Sequence, residues 1–202
     1  TSAVVPEFRQ SPPAVGAGGY GRAMTILRPD DRTDPPLQAD EAGTLLGFLA
    51  FQRDTLRWKC AGLTAEQLAT PLPPSTLTLG GLLMHLAVVE AGWLNLTFAG
   101  GVARPSWLGE MDPDDDDWSF AAAARRTPDE LFAVLDESAE VSDRVVAEAL
   151  AGPDGLGALS QGDDDGERFS LRWILCHLIE EYARHNGHAD LLRQAVDGAT
   201  GE

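Results

Sequence analysis

Three of the four histidines in this chain fall in one C-terminal stretch, SLRWILCHLIEEYARHNGHADLLRQ. On a helix that advances about 100° per residue, with His177 at zero, Glu181 falls at about 40°, His185 at about 80° and His188 at about 20°. Trp173, Ile174 and Leu192 lie near the same arc, which predicts that the arc faces the core. An ionisable group placed there has to be paired or bound to a metal ion, because burying an isolated charge is costly. Imidazole nitrogen and carboxylate oxygen are both good ligands for divalent ions.

Helix rise limits which of them can act together. His177 and His185 stand about 12 Å apart along the axis and cannot share one ion. Neighbouring members can: His177 with Glu181, Glu181 with His185, or His185 with His188. Bonds of about 2.0–2.2 Å suit such pairs on one helix. A further ligand has to come from a second helix, and one histidine remains, His85 in LLMHLAVVE. By itself His85 reads as a hydrogen-bonded core residue, and Glu181/His185 as an ion pair on a helix face. In a bundle that brings them together, the three read as a metal site, with His177 and His188 as supporting residues able to shuttle a proton. Arg184 pairs with Glu180 one turn earlier or binds a carboxylate of the bound compound.

These side chains have to be positioned by helices. A first long helix is predicted from about Asp40 to Cys60, capped by Asp40, with Leu45, Phe48, Leu49 and Leu56 at three-to-four spacing. Thr64-Ala-Glu-Gln67 has the form of a capping box opening a short helix. A second long helix runs from about Leu77 to Phe98 and carries His85 in its middle. Residues 100–118 read as a polar connection whose acidic run, Asp114 to Asp117, is solvated. Thr127-Pro-Asp-Glu130 opens a third helix to about Leu150, with Leu131, Leu135, Val141 and Val145 inward. Residues 152–168, rich in Gly and Asp, read as a loop. Ser170 then caps the last helix, which reaches about Val196 and stops at Gly198. Residues 1–38, rich in Pro and Gly, read as a loosely ordered arm, and residues 39–200 as one domain. Four long helices without alternating strand patterns predict an all-α four-helix bundle.

Composition narrows the function further. The chain has 15 basic and 32 acidic residues, a formal net charge of −17. Such a field repels polyanions, which argues against nucleic acid and anionic membranes as partners. Cys60 and Cys176 have no CxxC spacing and read as reduced thiols of a cytoplasmic protein. No long apolar run or secretory leader is apparent, so no membrane span is expected.

The segments HLAVVEAGWLNLTFAG and LRWILCHLIEEYARHNGHADLLRQAVDGA resemble the DinB-like superfamily of four-helix metalloproteins. More narrowly they are similar to its branch of mycothiol-dependent maleylpyruvate isomerases and mycothiol S-transferases, over about residues 38–200. The resemblance implies a three-ligand site for zinc, nickel or a similar divalent ion. Its helix-2 histidine matches His85, and its last-helix pair, in the Glu-xxx-His form, matches Glu181 and His185. It also implies a low-molecular-weight thiol cosubstrate, such as mycothiol, transferred to a small electrophile.

The expected chemistry is therefore transfer or isomerisation by a metal-activated thiol, with His188 or His177 moving the proton and no covalent nucleophile from the protein. Two rivals are a thiol-independent metal hydrolase or isomerase and a non-enzymatic bundle that binds a small molecule or partner. Homodimerisation through bundle faces fits either.

Overall fold

The computed structural model describes residues 32–112, 115 and 118–201. Residues 1–31 of the expected arm, and Asp114, Asp116 and Asp117 of the acidic run, lie outside the described residues.

Helix α1 spans Glu41–Cys60, and the Asp40 carboxylate accepts from the Gly43 N–H at 2.7 Å. The short α2, Ala65–Leu68, starts with the reciprocal Thr64/Gln67 box. Helix α3, Leu79–Glu90, is capped by Thr78 and runs on as wider π-helical turns over Ala91–Phe98. Then come α4 (Trp118–Ala123), α5 (Pro128–Ala151) and α6 (Leu171–Asp197). Thr127 and Glu130 cap each other at the start of α5. Ser170 caps α6, which ends at Gly198 with φ 77°.

The expected loop at 152–168 is instead partly a hairpin of β1 (Leu159–Asp164) and β2 (Glu167–Ser170). Asp165 (φ 52°) and Gly166 (φ 86°) both take the left-handed conformation that a tight two-residue hairpin turn requires. A strand this short, with mostly exposed side chains, leaves no alternating apolar signature to read.

The long helices form a closed ring. Helix α6 lies against α1 and α3, and α3 lies against α5. Ion pairs from Arg53 to Asp143 (2.8 Å) and from Arg57 to Asp136 join α1 to α5. Leu49, Leu56, Leu82, Leu86, Leu135, Ile174 and Leu178 fill the centre. Phe48, read as a core residue from its spacing, is 45% exposed. The segment Leu79–Phe98 is long and apolar enough to cross a membrane, but 67% of it is buried inside the bundle. Its hydrophobicity serves the core.

One polar network crosses that core. Glu90, fully buried at the end of α3, accepts from Arg53 Nε (3.2 Å) and Nη2 of α1 and from the Tyr182 hydroxyl of α6 (2.7 Å). Arg53 also reaches Asp143 of α5. Each of the four long helices thus contributes one member. Burial, chiefly, and the Glu90 carboxylate push the Tyr182 hydroxyl well above its ordinary range, so it stays protonated and donates. Burial opposes the charge on Arg53, but Glu90 and Asp143 outweigh it and keep the guanidinium ionised.

The chain's single lysine, Lys59, is also buried. Its ammonium donates to the Gly201 carbonyl, lies 2.6 Å from Asp190 Oδ1 and sits 4.0 Å above the Trp58 ring.

Candidate metal centre

The antiparallel approach of α3 and α6 brings His85, Glu181 and His185 together, with one ligand atom from each lying within 4.8 Å of the other two. The imidazoles of His85 and His185 stand 4.7 Å apart between centroids, at 67°. His185 Nε2 lies 3.6 Å from Glu181 Oε2. Donors around one tetrahedral ion with bonds of about 2.0–2.2 Å lie about 3.3–3.6 Å apart, so closure on an ion needs shifts of only about 1 Å. Two imidazoles and one carboxylate also match the three-ligand sets that leave a position open for chemistry. These residues could hold a divalent metal ion.

The electrostatics favour ligation. Burial lowers the pKa of His85, against the opposing pull of Glu181. His185 is pushed down to about 4, by burial first and then by His85 and, less strongly, His188 and Arg184, with Glu181 opposing. Both rings are therefore neutral at pH 7 and can offer a lone pair. The second nitrogen of His185 is held too: its Nδ1 lies 3.3 Å from Nδ1 of His188. If His185 Nδ1–H donates there, Nε2 is left unprotonated on the side of Glu181, the usual second contact of a metal-binding histidine.

The stripe lies at the edge of the core, not in its middle. Ile174 and Leu192 are buried as expected, but Trp173 is 46% exposed and His177, Glu181, His185 and His188 are half-buried. The residues of α6 that face the centre are Leu171, Leu175, Leu178, Tyr182 and Ala189, centred roughly 120° around the helix from His177. This offset puts apolar packing on one side of the ligands and leaves the other side reachable.

His177 stands apart from the trio. It stacks on Trp173 (5.1 Å, 16°), meets Trp93 edge-on (4.9 Å), and its Nδ1 is 3.7 Å from Glu180 Oε2. The Arg184 guanidinium is bound to Glu180, the first of the two arrangements the sequence allows.

Phe120 of α4 was not singled out by the sequence, yet it stacks beside His85 at 6.1 Å and 28°. Gly81, one turn before His85, makes room for it, since a Cβ there would sit 2.2 Å from a Phe120 ring carbon. Gly81→Ala should therefore cost about 1–3 kcal/mol, the usual penalty of overpacking. Adding Phe120→Ala should recover part of that cost. Urea unfolding of the two single variants and the double variant measures the coupling, and strict additivity would refute the contact.

The family of mycothiol S-transferases matches residues 44–198. No curated protein matches the chain. A match over most of the sequence, on a bundle whose second and last long helices bring two imidazoles and a carboxylate together, leads to one assignment: the chain belongs to the mycothiol S-transferase family, within the DinB-like superfamily.

Proposed function

We propose that this protein holds one divalent ion, zinc or nickel, through His85, Glu181 and His185, and transfers a group from a small electrophile to the sulfur of a low-molecular-weight thiol of the mycothiol type. The observation that carries this reading is the convergence of the three ligand atoms from two separate helices. A bound divalent ion supplies Lewis acidity, which brings the ionisation of a coordinated thiol down towards neutral pH.

The remaining work falls to the chain's own side chains. His188 holds the His185 ring so that Nε2 points at the site, and it acts through His185 as a positioning residue. In the tautomer that frees His185 Nε2, His188 Nδ1 accepts a hydrogen bond, so it is not the group that takes the thiol proton. His177 is packed on two indoles with Glu180 beside its Nδ1 and does not touch the trio, so the thiol proton passes directly to water on the reachable side of the ligands. Apolar packing behind the ligands keeps water to one side.

Incubating the metal-reconstituted protein with an alkylating electrophile, with and without mycothiol, tests the reading. Product accumulation that depends on both thiol and protein, and is lost in His85→Ala, is the expected outcome. Equal turnover without any thiol would replace this reading with direct hydrolysis.

A further inference from the structure

The contact between α3 and α6 continues past the metal centre in register. His85 meets His185; eight residues further along the first helix and eight back along the second, Trp93 meets His177 at 4.9 Å. About 12 Å of α6 separates the two contacts. At the far end the rings of Trp93, Phe169 and Trp173 touch one another at centroid separations of 4.9–5.2 Å, with His177 packed on the two indoles. Large apolar rings gathered at a half-open surface mark a place where something else packs.

Space and charge define what that is. Between the two ends, Gly92 lies about two turns after His85, just inside the wider turns, and so on roughly the same side. A Cβ built there would meet no atom within 4 Å, so this face is open. The arginines of α6 and β2 are engaged: Arg172 on Glu41 (2.6 Å), Arg184 on Glu180, Arg193 on Asp197 (2.8 Å), and Arg168 on the carbonyls of Ser160 and Leu159. Glu180, paired with Arg184, stands beside the His177 ring at 3.7 Å. An anionic ligand would find no uncommitted guanidinium from α6 or β2 to pair with, whereas a neutral flat ring would meet matching π-faces.

We propose that this aromatic end of the α3–α6 contact, beside the open face at Gly92, seats the ring of an uncharged planar electrophile, with its reactive carbon directed towards His85, Glu181 and His185. The direction of the ligand rests on the thiol-transfer reading; the binding does not.

Calorimetric titration of the full chain, without any thiol, with 2,4-dinitrotoluene and with 2,4-dinitrobenzoate tests it. The neutral compound should bind saturably and at least about tenfold more tightly than the carboxylate at low salt. Trp173→Ala, which removes one face, and Gly92→Leu, which fills the open space, should each weaken dinitrotoluene about tenfold or more while metal content and helical circular dichroism match the wild type. Absence of saturable binding, equal affinity for both compounds, or unchanged affinity in Gly92→Leu would each overturn the proposal. Intact ring binding without thiol-dependent turnover would instead reject the thiol-transfer reading and leave this one standing.

Discussion

His185→Ala should abolish stoichiometric metal binding, and His85→Ala should do the same. Each removes one of three ligands, and the two come from different helices, so neither can be replaced from its own strand of the site. Loss of His188 should be milder. Removing an outer partner of a ligating histidine ordinarily lowers metal affinity about 10–100-fold, because the ring can then turn away. His188→Gln, whose amide oxygen can accept the same hydrogen bond, should restore part of the affinity. Elemental analysis of protein reconstituted with zinc or nickel, followed by competition with a chelator, ranks the variants. Full occupancy in His185→Ala would show that the ion is held elsewhere.

The second large effect concerns stability. Glu90→Ala leaves the buried Arg53 guanidinium with Asp143 alone and the Tyr182 hydroxyl without its acceptor. Breaking a buried pair by removing one partner costs about 3–5 kcal/mol. For a domain of this size that lowers Tm by roughly 6–20 °C, at about 2–4 °C per kcal/mol. Replacing both charges, Arg53→Met with Glu90→Leu, should recover much of the loss, since no uncompensated charge then remains in the core. Thermal unfolding of the two variants settles the matter; a drop below about 1 kcal/mol for Glu90→Ala would mean that water or a neighbour takes the place of the carboxylate.

Helix boundaries and the pairing of Glu181 with His185 were readable because both are properties of spacing along one helix. Capping pairs such as Thr127/Glu130 announce a start, and His85 was the one histidine left to complete the set. What spacing does not contain is the rotation of a helix about its own axis within the bundle. The wheel grouped Trp173 with Ile174, yet the core lies on one flank of that arc and leaves Trp173 outside. Arg53, Glu90 and Asp143 drew no reading from the sequence, because a helical sequence carries no mark of the partner that satisfies each of them in the interior. Phe120 escaped notice for the same reason. Its contact with His85 depends on a glycine 39 residues earlier in the chain, Gly81, having no side chain.

The setting of Lys59 has a practical corollary for anyone labelling this protein. Its amine is the only one that any side chain offers, and in the folded state it is shut beneath the backbone of Gly201 and against Asp190. Amide-forming dyes and lysine-directed crosslinkers therefore find no lysine amine on the native surface. Acylation at that position becomes a reporter of how often the terminal segment lifts away.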